Sequence, residues 1–130
     1  MTPVDLTPEL LGLLRQVDTP TVCTAIVVVQ GRRGFAGFSG SARCASVPDA
    51  PAIVGYAQTA RIRGAAPPNE PAEDIRSRRL DYFRHMAGGP RPAVAVIEDL
   101  DHPHCVGAWW GEVHVAVHKG LGLAGAVTNG

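Results

Sequence analysis

The chain has 130 residues, 45% of them hydrophobic and 18% charged, which is enough for one globular domain and too little for two. Twelve basic and twelve acidic residues give a formal net charge of zero. This balance argues against a nucleic-acid binder that works through a broad basic field. The local run of Arg76, Arg78 and Arg79 is typical of a solvated helix face.

The cysteines and the hydropathy of the sequence indicate in which cellular compartment the protein is expected. Three scattered cysteines, Cys23, Cys44 and Cys105, form no C-x-x-C pair, which disfavours a disulfide framework or a four-cysteine zinc site and favours a reducing environment. No apolar run approaches the length of about 18 residues that a membrane span needs. The first five residues lack the basic start and apolar core of a signal peptide. We therefore expect a cytoplasmic protein with no membrane partner.

Two helix starts come first in the chain. Thr7-Pro8-Glu9 combines a capping hydroxyl, a proline at the first helical position and an acid, and leucines follow at helical spacing. Asp18-Thr19-Pro20 repeats this signal before residues 21–30, whose valines and isoleucine favour a strand. Because Pro20 would fit badly in a central strand, we predict a helix over residues 21–30.

A glycine-rich stretch separates these helices from the next element. Gly31–Pro51 predicts a loop with room for a short irregular strand, and it lacks the Lys-Ser/Thr pair of a phosphate-binding P-loop. Residues 53–62 predict a strand. Pro71 then opens the clearest helix, which carries acids in its first turn and ends at Gly88-Gly89.

The last third of the sequence predicts a strand, a helix and a second strand. The strands cover residues 93–97 and 123–127 and are apolar enough to be buried, and the helix covers Trp109–Lys119. This order makes a βαβ unit, in which the two strands are parallel and the crossover is right-handed. Either tryptophan at 109 and 110 could line a pocket or an interface, and at least one is more simply a core residue.

The segment Gly107–Val113 carries the chemistry, because it leads into that last helix. The first amides of a helix have no internal partner and lie at the positive end of the helix dipole, so they bind a carboxylate or a phosphate. Gly111 allows close backbone approach, and Glu112 adds an acid–base group beside the same end. Taken alone, the same two residues are explained more simply by helix capping.

These residues also carry a resemblance to a known family. Gly111-Glu112, the following helix and Gly-Leu-Ala-Gly-Ala-Val-Thr-Asn-Gly at residues 122–130 resemble the central block of the regulator of ribonuclease activity A family. Residues 6–21 resemble its opening helices and residues 53–60 its V-G-x-A-x-T strand. The resemblance implies that residues 1–130 form one α/β domain, a swivelling β/β/α sandwich with a partly parallel sheet and a βαβ unit, assembling as homotrimers or hexamers.

The resemblance also implies a function. Enzymes of the family resemble 4-hydroxy-4-methyl-2-oxoglutarate aldolase, a magnesium-dependent lyase that releases pyruvate and also decarboxylates oxaloacetate. The amides of Gly111, Glu112, Val113 and His114 would hold the carboxylate of this small 2-oxo acid substrate, and Glu112 would orient a water or assist proton transfer. Other members are non-enzymatic regulators that bind a protein partner such as a ribonuclease.

The chain departs from the family pattern at its end. An Arg-Asp pair, whose Arg grips pyruvate and whose Asp binds the divalent metal, would follow Gly130, and Asn129 stands where the family has aspartate. We therefore expect a domain that is incomplete at its C-terminus, with the magnesium ligand beyond this chain and no metal ligand within it. A different metal site is open to His114 and His118, whose i, i+4 spacing occurs in zinc sites, although surface histidines are the simpler interpretation.

Overall fold

The computed structural model describes residues 5–34, 36, 47 and 49–130. The chain forms two compact units that divide between Ala52 and Ile53. It is an α/β protein, with four helices and a three-stranded parallel sheet among the described residues. None of these helices combines the length and the apolar character that crossing a membrane requires. Most of the glycine-rich stretch, including the place of its predicted irregular strand, lies outside the described residues.

The first unit contains two helices, α1 (Pro8–Leu14) and α2 (Thr19–Gln30), and both begin where the capping residues predict. The Thr7 hydroxyl accepts a hydrogen bond from the Leu10 amide, and the Asp18 carboxylate accepts one from the Thr21 amide at 2.9 Å. Helix α2 ends at Gly31, which adopts a left-handed φ of 64°. The prediction of a helix rather than a strand is thus confirmed: capping outweighs β-branched propensity in this segment.

The second unit alternates strands and helices. Its elements are β1 (Tyr56–Ile62), α3 (Ala72–Ala87), β2 (Ala93–Asp99), α4 (Glu112–Gly120) and β3 (Leu123–Thr128). The strand order is β1-β2-β3, and both neighbouring pairs are parallel, which confirms the predicted pairing of β2 with β3. Because all three strands run the same way, their carboxyl ends meet at one edge of the sheet, here called the carboxyl edge.

The core of this unit is built on the central strand. Ala93, Ala95 and Ile97 project from one face of β2 and pack with Met86 of α3 and with Leu123. Strand β2 is buried along most of its length, as its apolar sequence predicts. The prediction that β3 is also buried was wrong, since only Leu123 of this strand is buried. Strand β3 lies at the edge of the described sheet and pairs with β2 on one side only.

Two predicted boundaries shift for physical reasons. Strand β1 begins at Tyr56 rather than residue 53, because the ladder starts where the Tyr56 amide donates to the Pro92 carbonyl at 2.9 Å. Pro92 has no N–H, so the β2 side of the ladder cannot extend further upstream. Helix α4 begins at Glu112 rather than Trp109, so the two tryptophans precede the helix as an extended lead-in.

Candidate functional site

The four residues expected to bind substrate lie together at the amino end of α4. Gly111 is the N-cap residue in an extended conformation, and Glu112, Val113 and His114 form the first helical turn. The first backbone bond of the helix runs from the Val115 amide to the Gly111 carbonyl at 3.0 Å. The amides of residues 112–114 consequently have no partner within the helix. We call Gly111–His114 the α4 tip.

The α4 tip is open to solvent on the side that a ligand would use. Gly111, Glu112 and Val113 are exposed, the last with 73% of its surface accessible. A Cβ placed on Gly111 would meet no atom within 4 Å, and no side chain caps the helix. The amides and the Glu112 carboxylate therefore face free space. In a βαβ unit the helix runs antiparallel to its strands, so this tip lies toward the carboxyl edge, where α/β proteins build ligand sites.

Asn129 closes the end of β2 at that edge. Its side-chain Oδ1 accepts a hydrogen bond from the Asp99 amide at 2.7 Å, and its Nδ2 donates to the Asp99 carbonyl at 3.2 Å. An amide side chain can accept and donate at the same time, whereas an ionised aspartate has no donor. An aspartate at this position could not make both bonds, so the structure gives Asn129 a local structural role.

Asp101 ties the loop after β2 to the loop after β1. Its Oδ2 accepts the amides of Gly64 at 2.6 Å and Ala65 at 2.8 Å, and the Arg63 guanidinium lies 3.9 Å from its Oδ1. The Gly64 bond is the main cause that lowers the pKa of Asp101, with the Ala65 bond and the charge of Arg63 acting in the same direction against desolvation. The Asp101 carboxylate therefore connects the two loops at the carboxyl edge, and its Oδ2 already accepts two backbone hydrogen bonds.

The pH dependence of stability should report on Asp101. A folded-state pKa below the unfolded value contributes stability that is complete above the unfolded pKa and is lost as pH falls through the folded one. We expect Asp101→Asn to flatten the loss of urea resistance as the pH falls below about 5, through and beneath the usual aspartate range. Asp49→Asn, at an exposed position, is the control. An unchanged acid profile in Asp101→Asn would contradict this assignment.

Cys105 lies beside Asp99 at the same edge. Burial raises the pKa of the Cys105 thiol, and a hydrogen bond to Asp99 together with the negative charges of Asp99 and Asp101 raises it further. A thiol whose pKa is raised is protonated near neutrality and is a poor nucleophile. The structure therefore gives no support to covalent catalysis by this cysteine.

The histidine pair on α4 is engaged in hydrogen bonds. The ring Nδ1 atoms of His114 and His118 lie 2.6 Å from the Trp109 carbonyl and 2.5 Å from the His114 carbonyl, and His118 Nε2 lies 2.6 Å from the Tyr82 hydroxyl. His118 thus has both nitrogens engaged. It is also 4% exposed, so the expectation of a surface histidine was wrong for this residue. Among the described residues, no three His, Cys, Asp or Glu side chains gather to hold a metal ion.

An aromatic cluster packs behind the α4 tip, between α3 and α4. Tyr82 contacts Trp109 edge-on at 5.3 Å between ring centroids, and Trp110 contacts His118 at 4.9 Å. Both tryptophans pack against the hydrophobic core, which confirms the simpler interpretation of them. Burial raises the pKa of the Tyr82 hydroxyl, against an opposing effect of the Trp109 side chain, so the hydroxyl remains a donor to His118.

Removing that hydroxyl should cost stability. In Tyr82→Phe the buried Nε2 of His118 loses its hydrogen-bond donor, and we expect the free energy of unfolding to fall by about 1–3 kcal/mol. Chemical denaturation monitored by tryptophan fluorescence measures this. Thr24→Val, which removes an exposed hydroxyl bonded to the Pro20 carbonyl, is the matched control and should change little. Equal stability of Tyr82→Phe and the wild type would mean that the hydroxyl bond does not contribute.

Comparison with known proteins adds no further identification. No protein-family model matches the chain, and neither a curated protein nor a solved structure does so.

Proposed function

We propose that this chain belongs to a cytoplasmic metal-dependent lyase that releases pyruvate from short 2-oxo acids such as 4-hydroxy-4-methyl-2-oxoglutarate and oxaloacetate. The proposal takes residues 1–130 as one domain of the regulator of ribonuclease activity A type, a swivelling β/β/α sandwich. The observation that carries it is the open α4 tip, which presents free amides and the Glu112 carboxylate to solvent.

Substrate binding would use the backbone. The amides of Glu112, Val113 and His114 can donate to the carboxylate of a 2-oxo acid, and the positive end of the helix dipole favours the same charge. A chain with zero net charge has no broad field to attract an anion, so recognition has to be local. The exposed backbone at Gly111 leaves space in which the carboxylate can approach closely.

Proton handling would fall to Glu112. In the aldol cleavage a base takes the proton of the 4-hydroxyl, which becomes a carbonyl as the C–C bond breaks. The electron pair of that bond remains on the pyruvate fragment as an enolate, whose methylene carbon must then gain a proton to become the methyl group. Glu112 is exposed at the same tip, so it can orient a water molecule and pass a proton between that water and the reacting carbon.

The magnesium implied by the resemblance does not fit the described residues on their own. No cluster of three His, Cys, Asp or Glu ligands exists among them, and the carboxylate of Asp101 is occupied by two loop amides. An octahedral oxygen-rich site needs free carboxylates. We therefore assign no step of the reaction to a metal here, and the proposed cofactor requires ligands that these residues do not supply.

A pyruvate-release assay tests the proposal. The parent protein, carrying the Arg-Asp pair expected after Gly130, is incubated with 4-hydroxy-4-methyl-2-oxoglutarate and with oxaloacetate, with magnesium and with a chelator, and pyruvate is measured by a coupled dehydrogenase. Magnesium-dependent release above the spontaneous decarboxylation of oxaloacetate is the expected result. If neither substrate yields pyruvate above the protein-free rate, the lyase proposal fails.

The lyase is proposed to act as a homotrimer or a hexamer. Within the described sheet, β1 and β3 each have an outer edge that pairs with no other strand, and such edges favour association. Sedimentation equilibrium should give a mass of three or six times the 13.7 kDa chain. A single species at the mass of one chain, across micromolar concentrations, would contradict this assembly.

A second function is favoured by the surface of the first unit. No residue of α1 or α2 is buried, and α2 exposes Val28 at 73% and Val29 at 86%. Exposed apolar surface of this kind marks a protein interaction site. A non-enzymatic regulator that binds a ribonuclease or another protein would use it. Val28→Glu should then abolish partner binding while Glu112→Ala leaves it intact, and the reverse pattern would reject the regulator.

A further inference from the structure

We propose that His114 is a positioning residue for the α4 tip: its imidazole ring holds the lead-in residues Trp109–Gly111 in the geometry that presents the free amides to an anion. The inference rests on the proposed anion-binding function of the tip. It gives the His114 side chain a role of its own, beyond the substrate-binding role that the family resemblance implies for its backbone amide.

The first observation is a hydrogen bond that spans the start of the helix. His114 Nδ1 lies 2.6 Å from the Trp109 carbonyl oxygen. Because a carbonyl only accepts, Nδ1 carries the hydrogen and donates it. The bond closes a short ring of backbone around Gly111, from Trp109, two residues before the tip, to His114, the third residue of the helix. It does so where no side chain caps α4.

The second observation is a stack between the two ends of that ring. The imidazole of His114 lies on the indole of Trp109 with centroids 4.4 Å apart and planes 25° apart. Phe83 of α3 contacts the imidazole from another side at 6.0 Å. The imidazole of His114 is thus held by packing as well as by its hydrogen bond. Together these contacts fix the direction in which residues 109–111 approach the helix.

The third observation anchors the tip to the unit's core. His118 Nδ1 donates to the His114 carbonyl, and the Tyr82 hydroxyl is hydrogen-bonded to His118 Nε2. His118 is buried, and Tyr82 belongs to α3. A continuous set of hydrogen bonds consequently runs from α3 through His118 and His114 to the Trp109 carbonyl.

Preorganised amides bind an anion without first being ordered, so loosening the lead-in should weaken binding. Gly111 has no neighbour within 4 Å of its absent Cβ and therefore no packing of its own to fix it. The His114 bond and stack supply that restraint. The consequence is a binding defect in His114 variants that goes beyond any change in stability.

Isothermal titration of the full chain with oxalate tests this. Asparagine places its amide nitrogen where histidine has Nδ1, whereas glutamine places it one bond further away. We expect His114→Ala and His114→Gln to weaken oxalate binding about 10-fold, the equivalent of one hydrogen bond, and His114→Asn to recover most of it. The two amide variants are matched in polarity, so comparable melting temperatures separate positioning from general stability.

Hydrogen exchange of the amides of residues 112–114, measured without ligand, gives an independent readout. Faster exchange in His114→Gln than in His114→Asn supports the inference. Equal exchange together with equal oxalate affinity in all variants overturns it. If the wild type binds no oxalate, the proposed anion-binding function fails instead, and the exchange rates alone decide whether His114 orders the tip.

Discussion

We expect Glu112→Ala to slow pyruvate release by about 10²- to 10⁴-fold, the usual contribution of a positioned acid–base group. Glu112 is the acidic residue of the α4 tip and is exposed beside amides that have no partner in the helix. Its loss leaves those amides in place, so kcat should fall while KM changes little. Steady-state kinetics on 4-hydroxy-4-methyl-2-oxoglutarate measure both constants.

Glu73→Ala is the matched control for this experiment. Glu73 is likewise an exposed acid in the first turn of a helix, α3, so its removal costs the same favourable interaction with a helix dipole. It should leave kcat unchanged. Unaltered kinetics in Glu112→Ala, or an equal loss in both variants, would remove Glu112 from the mechanism.

The largest loss of stability is expected for Ile97→Ala. Ile97 is 1% exposed at the centre of β2 and packs in the core cluster with Met86 and Ala95. Truncation removes buried methyl and methylene groups and leaves a cavity between the sheet and its helices, which should lower the free energy of unfolding by about 2–5 kcal/mol. Urea denaturation measures the change through the transition midpoint.

Val127→Ala provides the comparison on the same sheet. Val127 lies on β3 and is 41% exposed, so its truncation removes little buried surface and should cost far less. Similar losses in the two variants would mean that the core is not centred on β2. Since a domain is stable by only about 5–15 kcal/mol in total, Ile97→Ala should also lower the yield of folded protein.

Most of the fold could be predicted because its signals are local. Asp18 and Pro20 fix the start of α2 against a strand-favouring sequence, and Gly31 ends it. The apolar run of β2 indicates a strand buried on both sides. The start of α4 could not be placed from propensity, because both tryptophans are compatible with a helix. They precede it instead, Trp109 packed against Tyr82 and Trp110 against His118.

The site was predictable only in part. Gly111 and Glu112 indicate a helix tip from sequence alone, and the structure places them together and exposed. The support behind the tip depends on residues that are distant in sequence. Tyr82 and His118 are separated by 36 positions and meet only because α3 and α4 pack together. No spacing in the sequence predicts this contact, and none predicts the hydrogen bonds between Asn129 and Asp99.

The most direct test of the central claim is a ¹H–¹⁵N NMR titration of the chain with oxalate. The account predicts shifts that saturate and are largest for the backbone amides of Glu112, Val113 and His114, which lie free at the α4 tip. The amides at the opposite, C-terminal end of α4 should stay in place. Saturating shifts elsewhere with an unmoved tip, or no shift at any oxalate concentration, would contradict it.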